Sequence, residues 1–390
     1  MPFTLSRVTE PVSVPLLRAL TGLRAIAALW VVFHHYFDKF VLLFPVLEPL
    51  RAFAQAGNMG VELFLVLSGF VITLNYVDHF RVDQFRQWNG PTYIHFLRAR
   101  IARIYPVVVA CLLGALGIVT VANRLNMDLA TEGLYTPGGF VASLLMVQAW
   151  GNSADATWNF VAWSVSAEWF AYLCFPLVAL LYHRVRTSST AVGIAGAAIV
   201  VSISLILTSG LSVVSPFDHN SLLRVTGSFV AGAMMCWLWR NRFGASWNWG
   251  LLTPVLGLLA VASATALTAM GTGAYWTLLF MTPFILGLAY SRGWLARALS
   301  TSLADFGGRI SYSMYMSHLL LKMVLVKLLP AERFAESGLL LRLGIVAVYI
   351  ALILAVATAL YLLIEEPFRK LLRPSPRRKP APDQSESKLA

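Results

Sequence analysis

Ten apolar runs, each long enough to cross a bilayer as a helix, constrain this chain more than any other feature. A transmembrane helix needs about 20 predominantly apolar residues. Because 58% of the chain is hydrophobic and only 12% is charged, most of it cannot form the surface of a soluble domain. The sequence therefore predicts an all-α, polytopic membrane protein with about ten transmembrane helices and no soluble domain. The runs cover residues 17–41, 59–76, 104–122, 161–182, 190–209, 222–239, 248–269, 275–291, 310–329 and 340–364.

The charged residues between the runs predict the orientation. With the N-terminus inside, the inner loops are rich in arginine and the outer loops carry mixed charges, as the positive-inside rule requires. The additional run 140–150 is too short to cross and is expected to be re-entrant or interfacial. We therefore expect a multi-pass protein of the inner (plasma) membrane with both termini cytoplasmic. The inner charges are Arg81, Arg86, Arg98, Arg100, Arg103, Arg184, Arg186, Arg240, Arg242, Arg292, Arg297 and Arg309; the outer ones are Glu48, Arg51, Asp128, Glu132, Asp218, Glu332, Arg333 and Glu336.

Composition divides the chain into three parts. Residues 1–16 are expected to be a cytoplasmic segment, 17–366 a membrane domain, and 367–390 a basic, Pro-rich and disordered tail. The net charge of +12 is then explained by loops and a tail that lie against anionic lipid, with no nucleic-acid partner. The cysteines all lie in apolar runs, so we expect neither a disulfide framework nor a metal site: Cys111, Cys174 and Cys236.

The first run contains an arginine and a histidine that a bilayer disfavours. Arg24 and His35 are eleven residues apart, so on a helix they lie within about 20° of one face and about 16 Å apart along the axis. His34 points about 80° away. Hydrogen bonds to neighbouring helices could explain such a pair, but an intramembrane ionisable residue is by default a candidate for function.

Further polar residues open or interrupt the next runs. Glu62 stands in the second run among glycines that favour close helix packing. Arg100 and Arg103 are one helical turn apart, and their forked guanidinium groups are suited to gripping a polyphosphate. Their position also fits the positive-inside rule, so this signal is weak alone.

Glu168, in the fourth run, is expected at about the depth of His35. A histidine and a carboxylate at one depth could be the base and orienting acid of acyl transfer, a buried ion pair, or a proton relay in a pump. In the ninth run, His318 lies one turn before Lys322. For Lys322 we favour a structural ion pair over contact with a substrate.

Six segments together resemble the acyltransferase-3 family of integral membrane O-acyltransferases. They are RAIAALWVVFHH, GVELFLVLSGF, RARIARIYP, WSVSAEWFAY, RISYSMYMSH and IEEPFRK, and they occur in the family's order from about Leu20 to Lys370. The resemblance implies a ten-helix enzyme that moves an acyl group, usually acetyl from acetyl-CoA, to a hydroxyl. The implied acceptor is a sugar, a surface polysaccharide or a glycosylated small molecule. Glu62 departs from the aspartate expected in the second motif.

The resemblance also implies roles for individual residues. His35 would be the general base, with Glu168 or Glu62 setting its tautomer. Acyl-CoA would be the donor, with no tightly bound cofactor, and its phosphates would bind the arginines of the first and third runs. The resemblance gives the remaining motif positions as substrate or oxyanion candidates. The implied phosphate ligands are Arg24, Arg100 and Arg103, and the substrate or oxyanion candidates are Ser68, Trp163, Ser164 and His318.

A transporter remains the alternative interpretation. In it, Arg24, His35 and Glu168 would bind an acidic solute or relay protons across the bilayer. The runs form no convincing pair of inverted halves, which weakens this interpretation without excluding it. A non-catalytic membrane scaffold is the third possibility.

Overall fold

The computed structural model describes residues 14–80, 90–127, 135–151, 158–208 and 220–372. Over these ranges the chain is helical, with short 3-10 turns beside several of the helices. The first half contains α1 (Val14–Leu43), α2 (Arg51–Gln55), α3 (Met59–Tyr76), α4 (Gly90–Arg124), α5 (Pro137–Leu144), α6 (Trp163–Leu173), α7 (Phe175–Arg184) and α8 (Ser188–Thr208). The second half contains α9 (Asn220–Arg240), α10 (Trp249–Ala269), α11 (Leu278–Tyr290), α12 (Trp294–Leu299), α13 (Ser302–Leu328), α14 (Leu339–Leu360) and α15 (Glu366–Leu372).

The all-α membrane architecture predicted from the sequence is confirmed. By length and composition, seven helical stretches in the described part of the chain can cross a membrane, and the bent pair α6 and α7 brings this to eight. The other two predicted spans are also helical, but Ala274–Tyr290 is shorter and α13 carries more polar residues. The predicted number of ten is therefore approximate. The seven stretches are 18–43, 45–79, 90–124, 188–208, 221–240, 249–269 and 339–372.

The fourth predicted span is bent rather than straight. Helices α6 and α7 meet at Cys174 with an angle of 56° between them. Pro176 lies in the first turn of α7, where its missing N–H cannot continue the hydrogen bonds of α6. The short run that was not expected to cross forms the eight-residue helix α5.

Glycines allow the backbones of α3 and α9 to touch. A Cβ atom on Gly69 would meet the backbone of Phe229, and one on Gly232 would meet the backbone of Val66. Such small residues let membrane helices approach closely. The packing role expected for the glycine of the second run is thus observed at Gly69.

Helix α1 lies between two packed regions. It contacts α3 on one side and α13 on the other, and α13 in turn contacts α14. Tyr36 ties α1 to α13, because its hydroxyl donates to the carbonyl of His318 over 2.8 Å. Large aliphatic side chains such as Leu258 and Leu340 point outward, as a lipid-facing surface requires. The polar face of α1 is therefore enclosed between α3 and α13.

Several sequence predictions concern residues beyond the described ranges. The tail that was expected to be disordered begins at residue 367. Its first residues are helical, because residues 366–372 form α15. Predicted features outside the described residues are the segment 1–13, the tail from 373 to 390, and the charges Arg81, Arg86, Asp128, Glu132 and Asp218.

Candidate active site

His35 lies beside a second histidine from a distant part of the chain. Its ring centroid is 5.1 Å from that of His318 in α13 and 6.4 Å from that of Phe160. His34 also adjoins it, at 4.7 Å, but His34 turns its Nδ1 towards the carbonyl of Ala54. The two adjacent residues lie about 100° apart around α1, which agrees with these different environments. His35 and His318 thus form a histidine pair between α1 and α13.

Lys322 does not form the expected ion pair. Its ammonium donates to the backbone carbonyl of His35, and in the described part of the chain no carboxylate lies within ion-pair distance of it. It also lies 5.9 Å from the ring centroid of Tyr36. Because the carbonyl of His35 is on α1, the lysine joins α13 to α1 at the histidine pair. The sequence could not show this, since the acceptor is a backbone atom.

The three arginines predicted to hold phosphate converge. Arg24 lies 5.6 Å from the ring centroid of Phe64, and Arg100 lies over Tyr76 and donates to its hydroxyl over 2.8 Å. Arg103 lies over Tyr312. Arg24 and Arg100 are both within electrostatic range of Arg103. Aromatic faces accept guanidinium groups favourably, which helps to hold like charges together in a partly buried place.

Glu168 faces this arginine cluster instead of His35. Its Oε1 accepts from Ser68 over 2.5 Å and from Tyr172 over 2.6 Å. Arg24 lies within electrostatic range of the carboxylate. The expected contact between Glu168 and His35 is absent among the described residues, because the carboxylate is turned towards its own helix and α3. Ser68 is thus placed as a partner of Glu168.

Glu62 also has hydrogen-bond partners other than His35. Its two oxygens accept from Arg224 and Ser228 of α9, each over 2.7 Å, and its side chain is fully buried. The expectation that Glu62 could orient His35 therefore needs correction, since both oxygens are already satisfied. Arg224 lies 4.2 Å from the ring centroid of Trp163. This places Trp163 against the ion pair.

Ser164 and its neighbours connect α6 to α13. The hydroxyl of Ser164 is 2.8 Å from that of Tyr315, which in turn donates to the carbonyl of Val161. Tyr315 also adjoins His318, with 5.9 Å between ring centroids. Ser164 is therefore linked to the histidine pair through one tyrosine.

Glu365 is a site residue that the residue-by-residue sequence reasoning missed. It is fully buried, forms an ion pair with Arg103, and accepts from Ser313 over 2.7 Å. It ends a single π-helical turn, Tyr361–Glu365, and such turns recur at functional sites. The available signal was a glutamate inside the last apolar run, in the segment IEEPFRK.

Among the described residues, no three His, Cys, Asp or Glu side chains converge as metal ligands. The candidate site consists of the histidine pair, the arginine cluster with Glu168 and Glu365, and the polar links between them.

Comparison with known proteins decides the family. The profile of the acyltransferase-3 family, described as an acyltransferase domain, matches residues 17–362. The chain belongs to the acyltransferase-3 family. This confirms the family that the sequence motifs predicted. The matched residues extend from α1 into the π-helical turn and include both histidines of the pair.

One relative of this acyltransferase-3 protein is the acyltransferase MdmB of Streptomyces mycarofaciens. The two are 34% identical over 202 residues, which is 49% of this chain and 47% of the relative. The chain thus matches about half the length of that relative. No solved structure matches the chain.

Proposed function

We propose that the protein transfers an acyl group, acetyl in the first instance, from acyl-CoA to a hydroxyl. The proposed acceptor is a sugar, a surface polysaccharide or a glycosylated small molecule. The membrane would be the plasma membrane, with both termini in the cytoplasm and acyl-CoA reaching the arginine cluster from that side. The observation that supports this proposal is an excess of partly buried arginines about 16 Å along α1 from a histidine pair.

The arginine cluster is short of negative charge. Arg24, Arg100 and Arg369 all lie within electrostatic range of Arg103, whereas Glu168 and Glu365 are the carboxylates that contact or adjoin the group. The Nε atoms of Arg24 and Arg100 are buried and have no hydrogen-bond partner among the described residues. Uncompensated buried cations are costly, so the cluster favours an anionic ligand. The phosphates of CoA supply that charge, and guanidinium forks bind them well.

The distance along α1 suits the donor. Arg24 and His35 are about 16 Å apart along the helix axis. A CoA whose phosphates bind the arginines could extend its pantetheine arm along this face and place its thioester beside His35. Both residues lie on the side of α1 that faces its neighbours, Arg24 against Phe64 of α3 and His35 against His318 of α13.

In the proposed reaction, His35 acts as the general base. The hydroxyl proton of the acceptor passes to a ring nitrogen of His35, and the oxygen forms a bond to the acyl carbon. The carbon–sulfur bond then breaks, its electron pair leaves on the CoA sulfur, and the proton returns to that sulfur. Ser164, held near the pair by Tyr315, is the proposed donor to the oxyanion, for which its hydroxyl proton turns away from the oxygen of Tyr315.

The test is transfer of labelled acetyl from acetyl-CoA to lipid, glycan and small-molecule fractions by membranes containing the protein. We expect label in one fraction, which names the acceptor class, and its loss in His35→Ala at equal expression. His34→Ala is the matched control, because it removes the adjacent histidine. Absence of transfer with all acceptor classes supplied, together with solute uptake by proteoliposomes, would favour a transporter instead.

A further inference from the structure

The two ring nitrogens of His318 have different environments. Its Nδ1 lies 2.6 Å from the carbonyl oxygen of Tyr315, and its side chain is fully buried. A carbonyl only accepts, so Nδ1 carries the proton in this bond. The Nε2 atom of a neutral His318 is then an acceptor. It is buried and has no hydrogen-bond partner among the described residues.

The helix around His318 is held by side chains from other segments. Tyr36 of α1 donates to the carbonyl of His318 itself, and Asn159 donates to the carbonyl of Met316, each over 2.8 Å. These bonds fix the turn of α13 that carries the imidazole. Buried polar groups in proteins are nearly always satisfied, so an acceptor held this firmly without a partner calls for a donor.

His35 is the nearest ring that can supply one. Two imidazoles joined edge to edge by one N–H···N bond of about 2.9 Å have ring centroids about 5 Å apart. The centroids of His35 and His318 are 5.1 Å apart, with 37° between the ring planes. The two rings are therefore already at the separation that the bond requires, and a rotation of the His35 ring, without movement of either helix, can make it.

We propose that His318 is the positioning residue for His35. Its Nε2 accepts the N–H of one His35 ring nitrogen, so the other His35 nitrogen is left unprotonated and faces the acceptor hydroxyl. This inference rests on the proposed function and adds to it the group that sets the tautomer of the base. Glu62 and Glu168 do not fill this position, because both oxygens of Glu62 accept from α9 and the carboxylate of Glu168 is turned towards Ser68 and Tyr172.

A neutral partner changes how the positive charge is carried. When His35 takes the hydroxyl proton, its other N–H points at a basic nitrogen instead of a carboxylate. The charge is then shared between two rings. Because no carboxylate holds the protonated His35 in an ion pair, its proton can return to the departing sulfur without breaking one. Lys322 and His34 are the other basic groups beside the pair, and Lys322 is bonded to the His35 carbonyl.

The first test compares three variants in the acetyl-transfer assay. His318→Leu removes the acceptor and fills a similar volume, whereas His318→Gln retains an acceptor oxygen. We expect kcat to fall by about 10- to 100-fold in His318→Leu, part of the contribution of an oriented base. The KM for acetyl-CoA should stay unchanged, and His318→Gln should recover much of the loss. His34→Leu, which changes the other neighbouring ring, should retain the wild-type kcat.

A kcat in His318→Leu equal to that of the wild type would overturn the inference while leaving the proposed function intact. Equal losses in the Leu and Gln variants, or a loss confined to KM, would also overturn it, because they indicate a structural role. Loss of transfer in the wild type itself would count against the proposed function.

The second test does not need turnover. Nitrogen-15 NMR of histidine-labelled protein in bilayers reports which ring nitrogen carries the proton, and His35→Gln assigns the signal among the seven histidines. We expect one tautomer of His35 in the wild type and a mixture of both in His318→Leu. Identical His35 signals in the two proteins would overturn the inference even if no acyl transfer were found.

Discussion

Arg224 of α9 donates through Nε to Oε1 of Glu62 in α3 over 2.7 Å, and both side chains are almost completely buried. Residues 162 positions apart in sequence thereby join the two helices that also touch through Gly69 and Gly232. Trp163 and Tyr275 lie on the guanidinium at 4.2 and 4.9 Å from their ring centroids. The pair is therefore a fixed junction at the centre of the helix bundle.

Breaking this pair on one side should destabilise the protein strongly. Glu62→Leu leaves Arg224 charged and buried, at a cost of about 3–5 kcal/mol, whereas the double variant with Arg224→Met should recover most of it. Thermal unfolding in detergent measures the change. Arg240→Ala, which breaks a half-exposed pair with Asp78, is the control and should shift stability by less than about 1 kcal/mol. A double variant less stable than either single one would contradict this expectation.

Glu168 and its two donors should act as one unit. Ser68→Ala and Tyr172→Phe each remove one hydrogen bond to the carboxylate, so each should lower kcat/KM for acetyl-CoA by about 5- to 20-fold. The double variant should lose less than the product of the two, because the residues share one acceptor. Thr120→Val removes a hydroxyl bonded within α4 and should leave kcat/KM unchanged. Strictly multiplicative losses would show that the two donors are independent.

The arginines of α4 should differ from one another in their effect on donor binding. Arg100→Ala and Arg103→Ala should raise the KM for acetyl-CoA by about 10- to 100-fold with a small change in kcat, since each removes a charge-assisted contact to phosphate. Arg98→Ala is the matched control, because Arg98 lies on the same helix but is exposed. Initial rates over a range of acetyl-CoA concentrations separate the two constants. An equal rise in KM for all three would indicate general attraction and no defined site.

Close packing of α3 on α9 should not tolerate a larger residue. Gly232→Leu places a side chain against the backbone of Val66, so we expect the folded yield in detergent to collapse. Gly114→Leu is the control, because a Cβ added at Gly114 of α4 would meet no atom within 4 Å, so this position should accept the same change. Size-exclusion profiles at equal expression measure both. Normal yield of Gly232→Leu would mean that the two helices can separate.

An ion pair at one end of α1 should add a pH-dependent contribution to stability. A hydrogen bond from Lys39, 2.6 Å away, lowers the pKa of Glu332 below its ordinary 4.5. The contribution is therefore complete above pH 4.5 and is lost as the pH falls through the lowered folded pKa. It should be small, because 52% of the Glu332 side chain is exposed. Thermal unfolding of Lys39→Met should lose this part of the acid dependence, and an unchanged profile would contradict the assignment.

The apolar spans and the shared face of Arg24 and His35 could be predicted from the sequence, because both depend on residues that are close together in the chain. Helix periodicity alone put the two residues on one side of α1, and the structure encloses that side between α3 and α13. The bend at Cys174 was missed, although Pro176 marks it, because a proline in the first turn of a helix is equally compatible with a straight start.

The partners of the polar residues could not be predicted, because they depend on which helices become neighbours. Glu62 and Glu168 were each expected to reach His35 because they lie at a similar depth in the membrane. Depth does not fix the direction of a side chain around the helix axis. The partners are Arg224 and Tyr172, one distant in sequence and one a single turn away. His318 was recognised only as a motif position, since an unpartnered nitrogen is visible only once its surroundings are known.

The π-helical turn that follows α14 makes the position of Glu365 depend on the number of residues in that helix. A helix advances 100° per residue, and the extra residue in the turn Tyr361–Glu365 is what brings the carboxylate round to Arg103. The contact between Glu365 and Arg103 therefore depends on the number of residues in α14 as well as on their type. Removing any one residue from α14, whatever its chemical character, would rotate Glu365 by about 100° around the helix axis and out of the arginine cluster.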